Sequence, residues 1–361
     1  MANFDMAEMA LKRVCPTNRM KYDDKEMPSI MVYIPKFRLC DVLFTPDTSI
    51  HPAFRVNGVE IDGFYVGKFQ TCHYNGRAYS LPCEDPGNTA DLDTFVSYNR
   101  AKGGNFHEIT AAEWAAIALW CHRKGCEPKG NNYGGKDFTE TIYNAIPTHN
   151  PGGGGGTGRV ATGTGPVTWS HDGTLGGIWD MNGNVWEWCT GLRLVYGEIQ
   201  IIQDNNAADP TADLSAESAA WKAINAADGS LVTPDGKGTT AGTVKLDFSD
   251  GRWKYSTSIS SDRAFNQCAF ASVMVDATIG DTAKLVLRSL AMLPDMASGG
   301  GIIDNNYGGD YFGADNSKAE RYMLRGGAWG GGSNAGVFSF SLSDSRSRAD
   351  MAVGGRSAFI E

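Results

Sequence analysis

The chain has 361 residues, 42% of them hydrophobic and 20% charged, with a net charge of -9. That is enough apolar material for two domains or for one large domain with insertions. The acidic balance and the lack of a basic stripe exclude a typical nucleic-acid binder, and no run of about 18 apolar residues is present to span a membrane. Forty-five glycines beside nine tryptophans and thirteen tyrosines point to a loop-rich fold whose loops are anchored by large side chains.

Residues 1–28 are polar and Met-rich, and are expected to form an extension outside the main core. They lack the basic start and apolar run of a secretory signal, so synthesis in a cytoplasm is expected. In that setting the eight cysteines, at 15, 40, 72, 83, 121, 126, 189 and 268, are expected to be free thiols. Met31-Val32-Tyr33-Ile34 before Pro35 reads as a buried strand, and Ile61 to Phe69 as a second, with Gly63 and Gly67 as bends or bulges. Leu92, Phe95 and Val96 recur at helical spacing, ending near Gly103-Gly104. Thr110 and Glu113 have the spacing of a capping box. Trp114, Ile117, Ala118 and Cys121 follow as an apolar stripe, and Gly125 is the expected stop. The glycine run at 152–156 reads as a loop. Residues 200–245, rich in Ala, Asp, Asn and Thr, read as an exposed insertion with one short helix near Ser215–Ile224. Asn131-Asn132-Tyr133-Gly134-Gly135 is echoed at Asn305-Asn306-Tyr307-Gly308-Gly309, which reads as shared turn chemistry.

Asp180-Met181-Asn182-Gly183-Asn184-Val185-Trp186-Glu187-Trp188 places two tryptophans around a carboxylate, behind an Asn-Gly pair suited to a tight turn. With Leu324-Arg325-Gly326-Gly327-Ala328-Trp329 and the late Arg356, this pattern resembles the formylglycine-generating-enzyme branch of the C-type lectin fold. The resemblance runs from about residue 30 to 361, interrupted by an insertion near 192–320. It implies an α+β, loop-rich lectin domain over 29–361 in which Trp186 and Trp188 are core residues. Asn184 and Glu187 match positions near which relatives hold calcium, but two oxygen ligands are too few to assign a metal.

The oxidases of that family need two cysteines close before the final strands. Here the last cysteine is Cys268, and Cys189 follows Trp188 directly, out of order. No catalytic residue, cofactor or metal is therefore expected. The six histidines form no zinc-protease pattern. Arg159 after the glycine run rules out a phosphate-binding loop. Glu127-Pro128-Lys129 and Leu293-Pro294-Asp295 do not match the sugar-binding triplets of calcium-dependent lectins.

From Gly326 to Ile360 the chain is dominated by Gly, Ser and Ala and contains no Lys, Gln or Glu. The frame Arg325-Gly326-Gly327-Ala328-Trp329, then Gly332-Ser333-Asn334-Ala335-Gly336-Val337-Phe338, then Arg356-Ser357-Ala358 resembles the variable region of diversity-generating-retroelement target proteins, which share the lectin scaffold. Relatives carry Gly-Phe-Arg where this chain has Val353-Gly354-Gly355-Arg356. The resemblance implies adenine-directed mutation of Asn codons, which reaches Ser, Gly, Ala, Asp and Arg but not Lys, Gln, Glu, Met or Trp. It implies a variable region at about 326–358, with Ala328, Gly330, Gly331, Ser339, Ser341, Ser343, Asp344, Arg346, Arg348, Asp350 and Ala352 variable and solvent-facing. Trp329, Val337, Phe338, Leu342 and Val353 should be buried frame. Arg346, Arg348, Asp344 and Asp350 would be the only strong handles of a small polar patch, so affinity should be weak without multivalency. The partner implied is a protein or cell-surface target, bound without catalysis. The location implied is a phage or prophage tail, or a cell surface, with the chain a monomer or trimer. A formylglycine-type oxidase relative and a purely structural virion protein remain the alternatives.

Overall fold

The structure is a computed structural model that describes residues 3–141, 144–151, 156–295 and 307–361. Most of the glycine run and the Asn305-Asn306 half of the repeated motif lie outside them. The architecture is α+β. A five-stranded antiparallel sheet is ordered Asn18–Tyr22, Pro28–Pro35, Gly63–Gly67, Ser357–Phe359, Phe106–Glu108. The last strand of the chain therefore sits between early ones. Gly63 is no bend. A Cβ there would lie 2.6 Å from the Tyr33 ring, so the glycine lets that ring lie across the strand.

The N-terminal segment does not all lie outside the core. A helix covers Asn3–Val14, but Asn18–Tyr22 is the edge strand of this sheet, and Cys15, Asn18 and Asp23 are buried. The polar residues that suggested an extension are paired instead. Asp23 accepts hydrogen bonds from the Tyr79 hydroxyl and Arg77, and Asn18 accepts one from Lys68 Nζ.

Among the described residues the second sheet has twelve strands. Its main path runs Asn266–Ala269, Tyr311–Ala314, Gly336–Asp344, Arg321–Gly326, Trp186–Val195, Glu198–Ile202, Lys245–Ser249, Arg252–Ser256 and Met274–Val275. The described parts of residues 192–320 thus contribute strands to the sheet that carries the C-terminal segment. Glu198–Ile202 is buried throughout, and Trp221–Ile224 is a strand paired with it, not a helix. Polar composition misled here because Gln200, Thr243 and Glu198 satisfy one another inside the sheet. A further helix covers Asp281–Ser289.

The helix Ala111–Lys124 is the central pillar. The Thr110 hydroxyl accepts from Glu113 N while the Glu113 carboxylate accepts from Thr110 N, and Gly125 closes the helix at φ +64°. Trp114 is fully buried and donates its indole N–H to Val337 O at 2.8 Å, which ties the pillar to the C-terminal strand.

Candidate functional site

The C-terminal segment is pinned from both ends. After the strand Arg321–Gly326 the chain turns through Gly326 and Gly327, at φ +89° and +84°. The turn is stitched to neighbouring loops, with Trp329 N donating to Asn184 O and Gly332 N to Asn132 O. Gly336–Asp344 then runs between Tyr311–Ala314 and Arg321–Gly326. The following loop receives Leu92 N on Arg346 O, Thr89 N on Asp350 O and Trp186 N on Ala352 O.

Arg356 ends the segment as its deepest anchor. It is fully buried and forms a two-pronged pair with Glu187, Nε to Oε2 and Nη2 to Oε1, each at 2.7 Å. It also donates to the carbonyls of Gly67 and Trp179, and Gln70 donates to the same carboxylate. Every strong group is answered, as a buried ion pair requires. Asn184 is likewise occupied: its oxygen accepts from Asn131 and Val160 N, and its amide donates to Gln70. The two residues considered for calcium thus serve the scaffold.

Eight of the eleven residues expected to vary border one continuous groove. Ala328, Gly330, Gly331 and Ala352 line a hollow of about 410 Å3 with Trp186, Tyr311 and Trp329. Ser341, Ser343, Asp344, Arg348 and again Ala352 line an adjoining hollow of about 420 Å3 with Trp186, Phe265 and Tyr311. Trp186, Tyr311 and Ala352 border both hollows and join them.

Several expectations need correction. Ser339 and Ser341 are buried, not solvent-facing, because Gly336–Asp344 is a central strand covered on both faces. The Ser339 hydroxyl donates to Asn334 O and accepts from Tyr311 N, a backbone staple away from the groove. Ser341 forms groove floor, 2.6 Å from the Ser343 hydroxyl. Arg346 is not a free, solvent-facing side chain. It pairs with Asp93, bonds Leu214 O and the Tyr322 hydroxyl, and lies over the Tyr322 ring. Its side chain is 21% exposed, against 46% for Arg348, so it ties the loop to its surroundings. Asp350 stands outside the groove lining and caps the loop, accepting from Ala352 N and Arg348. Gly331 is crowded, since a Cβ would meet Ala335 Cβ at 3.0 Å, whereas Gly330 opens onto free space. Trp329 is only partly buried and belongs to the groove wall.

The aromatic floor was missed by sequence reasoning. Trp186 and Trp188 share a face of their strand by its period of two, but only Trp188 is fully buried. Trp186 is partly buried and meets Tyr311 with ring centres 5.8 Å apart at 62°. Phe265 stacks beside Tyr311 at 6.3 Å and is 52% exposed. The readable signal was Tyr311 followed two residues later by Gly313. A Cβ on Gly313 would lie 2.2 Å from the Tyr311 hydroxyl, so the glycine lets the ring lie flat along the sheet. The groove is therefore not a small polar patch, and its strongest handles are aromatic.

At its polar end Arg348 bridges Asp344 and Asp350 at 2.9 and 3.0 Å. Burial, and next the Asp344 carboxylate, push the Tyr311 hydroxyl well above its usual range, so it stays a neutral donor. Elsewhere, Cys189 is fully buried and its thiol is raised by burial. Cys121 and Cys126 are free thiols, and Cys121 lies on the buried face of the pillar helix.

No family model matches the chain, and no curated protein does. Among solved structures it is similar to the Major Tropism Determinant U1 variant, with a TM-score of 0.30 and 11% identity, over 91% of this chain and 62% of that one. The chain thus spans less than two thirds of that protein's length. No helix among the described residues is long and apolar enough to cross a membrane.

Proposed function

We propose that this chain is a non-catalytic binding protein. In this reading it displays a diversified C-terminal surface on a C-type-lectin scaffold of the formylglycine-generating-enzyme type, as a receptor-binding component of a phage or prophage tail or of a cell surface. Its target is a protein or another cell-surface group. One observation carries the reading: eight of the eleven positions singled out for variation line one groove, while Val337, Phe338, Phe340 and Leu342 between them are buried in the scaffold. A fixed frame carrying tolerant positions is the physical design of a diversifiable binding surface.

The glycines separate the same two roles. A Cβ on Gly336 would lie 2.1 Å from the Asp310 carboxylate and one on Gly355 2.2 Å from Glu108, so both belong to the frame, whereas Gly330 has room for a side chain. The buried, pKa-raised thiol of Cys189 supports the absence of oxidase chemistry, since a protonated buried thiol is a poor nucleophile. Sequencing the 3′ end of the gene across a growing population tests diversification. Changes should gather at Ala328, Gly330, Ser343, Asp344, Arg348 and Ala352, templated by an adenine-rich near-copy beside a reverse-transcriptase gene. Changes spread evenly through frame and rim would refute it.

A further inference from the structure

We infer that the half of the groove bounded by Trp186, Tyr311, Phe265 and Asp344 is a subsite for an alkylammonium group carried by the target. The inference rests on the binding role proposed above and names the chemistry that part of the groove would take. Three aromatic rings gather there from separate elements. Trp186 comes from the strand after the Asn182-Gly183 turn, Tyr311 from an edge-proximal strand, and Phe265 from the loop before Asn266. Trp186 and Tyr311 meet at a steep angle while Phe265 lies nearly parallel to the Tyr311 ring, so the hollow is bordered by rings in two orientations.

Ring faces attract cations through their quadrupole, and such a border suits a bulky, weakly hydrated ammonium better than an anion. Asp344 stands in the same hollow, 13% exposed, and the hydroxyls of Ser341 and Ser343 line it. The charged residues that line the hollow are Asp344 and Arg348, and Arg348 is shared with Asp350 outside the lining, so displacing the guanidinium would leave the Asp344 carboxylate as the one charge facing a ligand. Among the described residues, the cations that lie over rings do so elsewhere, such as Arg346 over Tyr322 and Arg193 over Trp221. Arg348 is the internal competitor, because its guanidinium holds the carboxylate a ligand would use. Removing it should therefore strengthen cation binding, which a purely structural role for Arg348 does not produce.

The test is calorimetric titration of the full chain with choline, with Nα-acetyl-lysine amide, and with 3,3-dimethylbutan-1-ol as the neutral isostere of choline. Saturable binding of a cation is expected, with the isostere at least about fivefold weaker. Stronger choline binding assigns the source to a quaternary head group, and stronger lysine binding to a side chain of a protein target. Tyr311→Leu should abolish binding, Asp344→Asn weaken it about tenfold, and Arg348→Ala strengthen it about threefold. An isostere that binds as well as choline, no saturable cation binding, or an Arg348→Ala variant with unchanged affinity overturns the subsite. If Asp344→Asn misfolds, the isostere comparison and Arg348→Ala still decide. A chain that binds cell surfaces through the groove rim yet ignores both cations would sink this inference and leave the proposed function standing.

Discussion

Arg356 and Arg348 belong to the same C-terminal segment and are held in opposite ways. Arg356 is fully buried, with its guanidinium committed to Glu187 and to the carbonyls of Gly67 and Trp179. Arg348 rests on Asp344 and Asp350 at the groove rim, with nearly half of its side chain exposed. The first is tied to parts of the chain far away in sequence, the second only to neighbours two and four residues off. Stability and the proposed recognition are thereby placed in different residues of one segment, so either should change with little effect on the other.

Breaking the deep region should have the largest effect. Glu187→Ala strands the buried Arg356 charge and should cost about 3–5 kcal/mol, read as a shifted denaturant midpoint. Next is acid. Burial lowers His51, His73 and His171 from 6.5 to about 4. The folded chain therefore binds fewer protons than the unfolded chain between those values, and stability should fall as pH drops from 6.5 to 4. Each histidine contributes up to about 1.4 kcal/mol per unit in that window. A thermal melt that does not change between pH 7 and 4 would contradict the buried, neutral assignment. His51 has the bonds of a neutral ring, with Nε2 on Ser289 O and Nδ1 accepting from Ala53 N.

Two arginines of the loop sharpen the contrast. Arg346→Ala loses bonds to Asp93, Leu214 O and Tyr322 and should cost about 1–2 kcal/mol, whereas Arg348→Ala should stay within about 0.5 kcal/mol. Equal costs in chemical denaturation would erase the distinction between anchor and rim. The smallest change is expected for Gly330→Ser, within about 0.5 kcal/mol, because its side chain meets open space.

Much of the frame was legible in the sequence. The capping box at Thr110, the left-handed stop at Gly125, the strand before Pro35 and the buried Val337, Phe338, Leu342 and Val353 all follow from local chemistry. The groove was legible only as a set of positions. Alternation along Ser339, Ser341 and Ser343 brought Ser341 and Ser343 to the groove, but not Ser339, and gave no sign that the strand is central and covered. Phe265 and Tyr311 reach the groove only through the pairing of Asn266–Ala269 with Tyr311–Ala314 and of that strand with Gly336–Asp344. Such pairing is non-local and leaves no periodic trace in the chain. The polar text of residues 200–245 hid buried strands because its side chains bond one another.

The central claim is best tested by one saturation scan that reads folding stability by proteolysis at every position from Gly326 to Ser357. Most substitutions at Gly330, Ser343, Arg348 and Ala352 should leave the chain folded, and nearly all at Gly327, Gly336, Phe340, Leu342 and Arg356 should unfold it. A flat profile, with rim and frame equally sensitive, would contradict the claim.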